Sequence, residues 1–403
     1  MFKANFVLLM LFLQITLAAF AQQNNRNTHL LFPTDRNVVQ LPFERINSWI
    51  VIKGSINGSG GKTFILDTGA PVAVLVNDSN VADLNLSIKA QVVIGGGDGN
   101  TGKKTPLASG VRVQFGDIIV ENANMVVGAA KDAVHGIDGI IGKYLFDGAI
   151  VKIDWQQQII TFYKEGTFSY NGDGVELPLE MDKSGHIYTK ASFKGPDTTI
   201  ECKALVDLGN KSSLFIDKKA AAGLAGNNKV IKDIIIGWGA NGQVNGSVTR
   251  TSLLLPGVVL DNVVIALKDK EDNLSKKGYT ANIGLSVLQR FTLYFDYQGK
   301  KLILEKNKDF SSPFLFNRSG IIINPRPSEI GLIVAFIIPG SPAAKAGVVA
   351  GDIIISADGN KNLAISINEI EPLIKGWKKD SLQLQLIRQN TTQHINLSLK
   401  DLL

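Results

Sequence analysis

Sulfur and imidazole are scarce in this chain of 403 residues. It contains a single cysteine, Cys202, so no disulfide can form within the chain and its stability has to come from apolar cores. The four histidines are scattered, without the short spacings that metal-binding motifs use. We therefore expect no metal and no cofactor.

Clusters of charge of one sign are also missing. The net charge is +6, but the lysines are spread along the chain. No block of about five or six like charges marks an arm that binds nucleic acid. We therefore expect no nucleic-acid partner.

Long apolar runs are absent apart from one near the start of the chain. Phe6–Phe20 is a short apolar run that follows Lys3 and ends at the small residues around Phe20. This pattern predicts a signal peptide over residues 1–21, with a mature chain from Gln22 that is periplasmic or secreted. The alternative is a retained membrane anchor, since only the length of the run argues against a spanning helix.

Glycine, in contrast, is abundant, and the chain repeats itself once. The 40 glycines and few aromatic residues favour turn-rich β structure. Four landmarks recur in one order at offsets of 140 to 142 residues. The matched pairs are Phe64–Ala70 with Ala204–Asn210, Gly97–Gly102 with Gly237–Gly242, Gly139–Gly142 with Ala281–Gly284, and Val151–Asp154 with Leu293–Asp296. We infer two homologous lobes that face each other like the halves of a symmetric dimer.

The first copy carries the sequence Asp67-Thr-Gly-Ala after an apolar strand. With its repeat, it resembles the bacterial, exported aspartic proteases of the retropepsin-like and pepsin-like, two-lobed kind. The resemblance implies two homologous acid-protease β-barrel lobes with a cleft between them. It also implies a catalytic pair of Asp67 and Asp207, supported by Thr68, Gly69 and Gly209.

Two carboxyl groups suit peptide hydrolysis without a metal. Like charges held close together cannot both ionise, so the pair shares one proton. One carboxylate can then activate water while the other protonates the carbonyl. We therefore predict an aspartic-type endopeptidase that acts on an extended peptide or protein substrate.

The second copy departs from the family pattern. Leu208 stands where the family has threonine or serine, and Asn210 replaces a small residue. By resemblance, half of the hydroxyl lock between the lobes is missing. The alternative function is therefore a catalytically weak or inactive protein that keeps the protease fold and binds peptides.

Two glycine clusters fit the G-x-G-x-x-G pattern, but no helix is expected after either, which excludes dinucleotide binding. We predict hairpins that close over the substrate as flaps, with plain β-turns as the alternative. The flap residues would be Gly95, Gly96 and Gly97 in the first lobe, and Gly237, Trp238 and Gly239 in the second.

The last part of the chain contains Gly331–Gly347, with the stretch Ser-Pro-Ala-Ala, and then Gly351–Ile355. These residues resemble a PDZ domain of the bacterial protease-associated type. The resemblance implies a groove that adds an extended peptide as a strand, with Ile330, Gly331, Leu332 and Ile333 at the carboxylate-binding loop. A purely structural module or scaffold is the alternative.

The complete prediction is a mainly β chain with five parts. They are a signal peptide (1–21), an N-terminal lobe (22–170), a C-terminal lobe (171–310), a linker (311–318) and a PDZ domain (319–403).

Overall fold

The structure is a computed structural model, and it is mainly β. It describes residues 14–15, 28–46, 48–76, 81–95, 103–128, 137–239, 242–270, 280–324, 328, 330–361, 367–376 and 379–403. Gly96 and Gly97, which we predicted to lie in a flap, fall outside these ranges.

Twenty-nine strands make up most of the described chain. The first thirteen are β1 (Gln14–Ile15), β2 (His29–Leu31), β3 (Val38–Pro42), β4 (Glu44–Ile46), β5 (Trp49–Ile56), β6 (Ser59–Leu66), β7 (Ala73–Leu75), β8 (Ile88–Gly95), β9 (Lys103–Phe115), β10 (Ile118–Val127), β11 (Gly139–Ile141), β12 (Ala149–Asp154) and β13 (Ile159–Lys164). The next eleven are β14 (Val175–Pro178), β15 (Glu180–Met181), β16 (Ile187–Lys194), β17 (Thr199–Val206), β18 (Leu214–Asp217), β19 (Ile231–Gly239), β20 (Gly242–Leu255), β21 (Val258–Lys268), β22 (Ala281–Ile283), β23 (Phe291–Asp296) and β24 (Lys301–Lys306). The last five are β25 (Ile321–Ile323), β26 (Leu332–Ile337), β27 (Ile353–Ala357), β28 (Ser381–Arg388) and β29 (Thr391–Ser398).

Helices in the described residues are short. The α-helices are α1 (Leu285–Leu288), α2 (Pro342–Lys345) and α3 (Ile367–Ile374), and 3₁₀ turns cover Val81–Leu84 and Lys143–Leu145. None of these helices is long and apolar enough to cross a membrane.

Each lobe is a closed barrel with the same strand order. In the first lobe, strands β5, β6, β11, β7, β10 and β9 pair in a ring that closes between β9 and β5. In the second lobe, strands β16, β17, β22, β18, β21 and β20 pair in the same order, and β20 returns to β16. The lobes predicted from the repeat are therefore confirmed as two homologous barrels.

A six-stranded sheet joins the lobes, in the order β14, β24, β23, β12, β13, β3. At its centre β12 pairs antiparallel with β23, and Lys152 lies opposite Tyr294. These two residues are equivalent at the repeat offset of 142, so each occupies the other's place after a two-fold rotation. The join has the geometry of a symmetric dimer interface within one chain.

One continuous apolar core runs through both lobes and their joining sheet. Alternation in β12, whose odd-numbered residues are buried, turns one face of that sheet inward. Phe146 of the first lobe and Phe295 of the second lie edge to face, with ring centroids 5.1 Å apart.

The C-terminal domain is a five-stranded sheet in the order β25 to β29, with α2 and α3 beside it and its own apolar core. A second apolar cluster joins this domain to the second barrel, because Ile338 and Leu402 pack with Leu205 and Phe215. The segment before it is packed as well. Arg290 donates to the backbone oxygens of Asp309, Phe310, Ser312 and Pro313 and lies over the ring of Phe314.

Strand β1 lies inside the segment that we predicted to be a signal peptide. It pairs antiparallel with β8, through Gln14 opposite Gly95 and Ile15 opposite Ile94. A mature chain that starts at Gln22 would lack this pairing.

Candidate active site

The first aspartate lies at the end of β6. Asp67 is fully buried, and its backbone amide donates to the oxygen of Ile141 in the neighbouring parallel strand β11. Its Oδ1 accepts a hydrogen bond of 2.7 Å from the amide of Gly69. The tight turn after the strand therefore directs the carboxyl group away from its own barrel core and fixes one oxygen.

The second aspartate takes the equivalent place after β17. Asp207 is buried, and its amide donates to the oxygen of Ile283 in β22. Its Oδ1 accepts from the amides of Gly209 (2.8 Å) and Asn210 (3.1 Å). The two loops are thus built alike, as the repeat predicted.

Behind each loop lies a glycine that no larger residue could replace without moving the backbone. A Cβ built on Gly142 would lie 2.0 Å from the oxygen of Asp67, and one built on Gly284 would lie 2.6 Å from the oxygen of Asn210. The Ile-Ile-Gly and Asn-Ile-Gly segments therefore pack against the active-site loops from behind.

The two carboxyl groups border the same small space. A Cβ built on Gly69 would lie 3.0 Å from Oδ1 of Asp67 and 3.1 Å from Oδ1 of Asp207. A Cβ built on Gly209 would lie 2.4 Å from Cγ of Asp67. The negative charge of Asp207 also acts on Asp67 at this short range. The glycines are needed for this close approach.

Thr68 provides the lock between the lobes. Its hydroxyl donates to the oxygen of Val206 (2.7 Å) and accepts from the amide of Leu208 (3.0 Å). Leu208, which replaces the second hydroxyl residue, is fully buried in the apolar core. One threonine therefore satisfies two backbone groups of the opposite loop, and apolar packing stands where the second hydroxyl would be.

A tryptophan adds a second contact between the lobes, which the sequence did not reveal. Trp49, at the start of β5, donates from Nε1 to the oxygen of Gly209 at 2.7 Å. The ammonium group of Lys211 lies over this ring, with Nζ 4.7 Å from the ring centroid. A hydrogen bond from the first lobe therefore holds the loop of the second aspartate, in addition to Thr68.

The environments of the two carboxyl groups differ in their donors. Asn282 donates from Nδ2 to Oδ2 of Asp207 at 2.6 Å. None of the described residues donates to Oδ2 of Asp67, which is buried. The repeat could have shown this difference, because Asn282 is equivalent to Ile140 and is the polar one of the two.

Burial raises the pKa of Asp67 well above its usual range, and the negative charge of Asp207 raises it further. Burial also raises the pKa of Asp207, but hydrogen bonds from Asn282, from Asp67 and from the loop amides act in the opposite direction. The pair therefore holds a proton more tightly than free carboxyl groups.

Comparisons with known proteins agree with this geometry. Residues 52–145 match the family model for aspartyl proteases, and residues 333–388 match the model for PDZ domains. The chain carries an aspartyl protease region and a PDZ domain. The aspartyl protease match includes Asp67, whereas Asp207 lies beyond it and rests on the repeat.

One solved structure to which the chain is similar is the aspartic proteinase from Irpex lacteus, at 16% sequence identity and a TM-score of 0.48. The likeness covers 69% of this chain and 99% of that one. No curated protein matches the chain.

The predicted flaps of the protease region are hairpins. Strand β8, which ends at Gly95, pairs antiparallel with β9 up to Ile94 opposite Lys103. In the second lobe, Gly237, Trp238 and Gly239 end β19 and pair with the start of β20.

The assignment of the peptide groove of the PDZ domain to Ile330, Gly331, Leu332 and Ile333 is wrong. Strand β26, which contains Leu332 and Ile333, pairs with β27 on one side and β25 on the other. Leu332 is fully buried in the domain core. A peptide cannot add to a strand whose two edges are both paired, so the available edge belongs to β25, which pairs only with β26 in the described part of the chain.

The loop that leads into β25 satisfies its own amides. Gly320 donates to Oδ1 of Asn317 at 2.8 Å, and Ile321 donates to Oγ of Ser319 at 3.1 Å. Asn317 in turn donates to the oxygen of Ile321. The two amides that head the edge strand are therefore already engaged.

No group of acidic, histidine or cysteine side chains among the described residues could hold a metal ion. Cys202 is half-buried, and burial raises the pKa of its thiol to about 12, so it is not a reactive thiolate.

Proposed function

We propose that this protein is an aspartic endopeptidase whose dyad is Asp67 and Asp207. One observation carries the proposal: two equivalent strands from two barrels bring two buried carboxyl groups to the border of one small space. A purely structural role does not explain this arrangement, because burying two adjacent carboxyl groups is costly unless they share a proton.

The pair supplies both proton transfers that peptide hydrolysis needs. The ionised carboxyl takes a proton from water as its oxygen attacks the carbonyl carbon, and the protonated carboxyl gives its proton to the carbonyl oxygen. When the C–N bond breaks, the first carboxyl passes its proton to the leaving nitrogen, and the second recovers a proton from the tetrahedral intermediate. The dyad therefore ends the cycle as it began.

The substrate would be an extended peptide. The dyad lies where the two barrels meet, and the β8–β9 and β19–β20 hairpins extend from them. We propose that these hairpins are the flaps that cover the substrate and exclude water.

Cleavage of a peptide library between about pH 3 and pH 8 tests the function. The wild-type chain should cleave best at acidic pH, and Asp67→Asn and Asp207→Asn should each abolish cleavage. Asp173→Asn, at an exposed position, is the matched control and should cleave normally. Cleavage that survives in either dyad variant would overturn the assignment.

The competing function is peptide binding without cleavage, which the burial of Leu208 at the lock position favours. It predicts that the wild-type chain binds library peptides at acidic pH and releases them intact. Mass spectrometry of the bound and released peptides separates the two functions.

We further propose that the PDZ domain binds extended segments at the β25 edge without requiring a free C-terminus. Because Asn317 and Ser319 engage the amides of Gly320 and Ile321, a terminal carboxylate cannot accept hydrogen bonds from these two amides. Fluorescence polarisation should give equal affinities for a peptide acid and its amide. A clear preference for the acid would contradict this proposal.

We also propose that the chain is exported, on the strength of the Lys3 and Phe6–Phe20 pattern. N-terminal sequencing of the protein from periplasm or medium should find a start near Gln22. An unprocessed, membrane-bound chain would indicate an anchor instead.

A further inference from the structure

The second lobe contains a polar chain that the first lobe lacks. Ser212 donates from its amide to Oδ1 of Asn210 (3.0 Å), and Asn210 donates from Nδ2 to Oδ1 of Asn282 (2.7 Å). Asn282 then donates from Nδ2 to Oδ2 of Asp207 at 2.6 Å. The side chains of Asn210, Asn282 and Asp207 are all buried.

This chain fixes the orientation of the Asn282 amide. Its oxygen is occupied by the donor from Asn210, so its NH₂ group has to face Asp207. An NH₂ group can only donate, and a donor stabilises a carboxylate more than a neutral acid.

The equivalent positions of the first lobe are apolar. At the repeat offsets, Ala70 is equivalent to Asn210, and Ile140 is equivalent to Asn282. Both apolar residues are fully buried. Asp67 therefore has only backbone amides as donors, that of Gly69 on Oδ1 and that of Gly209 from the opposite loop, and no donor among the described residues on Oδ2.

We infer that Asn282, held by Asn210, is a positioning residue that keeps Asp207 as the ionised member of the dyad. This inference rests on the proposed peptidase function and assigns the roles within it. Asp207 is the base that takes the proton from water, and Asp67 is the acid that protonates the carbonyl oxygen. The unequal hydrogen-bond donors, and not the hydroxyl lock, are the feature that distinguishes the two carboxyl groups.

The other titratable groups near the dyad do not supply this bias. Tyr297 is buried and interacts with Asp67, but burial raises the pKa of its phenol, which stays neutral. The ammonium group of Lys211 lies over Trp49 and pairs with Glu371. Among the described residues, Asp67 is thus the titratable group that acts directly on Asp207.

Carboxyl ¹³C NMR titration tests the inference without requiring activity. Asp207 observed in Asp67→Asn should titrate at lower pH than Asp67 observed in Asp207→Asn. Adding Asn282→Ile, which installs the residue of the first lobe, should move the Asp207 midpoint upward by about one pH unit. An unmoved midpoint, or a lower midpoint for Asp67, would overturn the inference.

Kinetics give a second readout if the wild-type chain cleaves peptides. Asn282→Ile should lower kcat about 10-fold or more and move the acidic limb of the kcat/KM profile upward, with KM little changed. Asn210→Ala, which keeps Asn282 but frees its oxygen, should show a smaller shift in the same direction. This milder variant serves if Asn282→Ile fails to fold, and an unchanged acidic limb in it would count against the inference.

The two proposals can fail separately. A wild-type chain that cleaves nothing refutes the peptidase, while the NMR midpoints still report the asymmetry. If the Asn282→Ile variant cleaves normally with an unchanged pH profile, the role of Asn282 is refuted and the peptidase proposal stands.

Discussion

Lys211, four residues after Asp207 of the proposed dyad, forms an ion pair with Glu371 on helix α3 of the PDZ domain, with Nζ 3.4 Å from Oε2. The same ammonium group lies over the ring of Trp49, whose Nε1 donates to Gly209. The PDZ domain therefore contacts the active-site loop directly. Burial lowers the pKa of Lys211. Burial alone would raise the pKa of Glu371, but the positive charges of Lys211 and Lys375 lower it to about 2.

Glu371→Gln should destabilise the chain by removing one charge of this pair. Both side chains are about one fifth exposed (23% and 21%), so we expect a loss of about 1–3 kcal/mol in unfolding free energy at pH 7. Because the folded pKa lies below the ordinary value of 4.5, this stabilisation is present above pH 4.5 and is lost as the pH falls towards about 2. Denaturant unfolding of both proteins at several pH values measures it.

The matched control is Glu180→Gln, which breaks the exposed pair of Glu180 with Lys203. It should change the unfolding free energy by less than about 1 kcal/mol. Equal stability of Glu371→Gln and the wild-type chain at pH 7 would show that the interdomain pair contributes nothing.

Thr68→Val should impair both stability and activity. Valine has nearly the same shape but leaves the oxygen of Val206 and the amide of Leu208 unpaired in a buried site. We expect a loss of about 2–4 kcal/mol, together with a lower kcat. Thr189→Val removes one buried hydrogen bond, to Pro178, away from the dyad. It should reduce only stability, and a normal kcat in Thr68→Val would contradict the lock.

Gly209→Ala should strongly slow cleavage. Its Cβ would lie 2.4 Å from Cγ of Asp67, so the carboxyl groups have to move apart. A displacement of this kind costs about 100-fold in rate, and overpacking costs about 1–3 kcal/mol. A Cβ on Gly60 has nothing within 4 Å, so Gly60→Ala is the control and should cleave normally. Full activity of Gly209→Ala would mean that the carboxyl groups do not meet here.

Asp67→Asn should be more stable than the wild-type chain at neutral pH, although it is inactive. The raised pKa of Asp67 means that its contribution to stability is complete below its ordinary value of 3.8 and is lost as the pH rises towards the folded pKa. Asparagine keeps a neutral donor and avoids this loss. The stability difference should grow by up to about 1.4 kcal/mol per pH unit above pH 3.8.

Melting temperatures of both proteins from pH 3 to pH 8 measure this difference. The exposed Asp173→Asn is the control, and its melting curve should follow the wild-type chain. A difference that is constant with pH would show that Asp67 is not held in its protonated form.

The repeat in the sequence alone determined much of the fold. Positions 140 to 142 residues apart take equivalent places, because two copies of one pattern have the same buried faces. Short β-branched segments bounded by glycine or aspartate predict strands, and Thr63–Leu66, Val111–Phe115 and Ile159–Tyr163 lie in β6, β9 and β13. The segment Tyr144–Gly148 predicts a short helix, and the structure has a 3₁₀ turn over Lys143–Leu145 there.

Other features depend on contacts that no local pattern encodes. The assignment of the peptide groove to Ile330–Ile333 failed because which strand of a sheet has a free edge depends on its neighbours. The contacts of Trp49 with Gly209 and of Lys211 with Glu371 each join residues about 160 positions apart. The local sequence around Trp49, Lys211 or Glu371 does not indicate these contacts.

The sequence by itself determined that two aspartates lie in equivalent loops of two β lobes, because spacing and apolar pattern are local properties that repeat. The repeat shows that the two loops differ in sequence, but only the tertiary structure decided which carboxyl group gains an extra donor. Asn282 donates to Asp207, whereas none of the described residues donates to Oδ2 of Asp67, and that difference arises where separate strands meet. The proton on the dyad is placed by hydrogen-bond donors that the fold brings together.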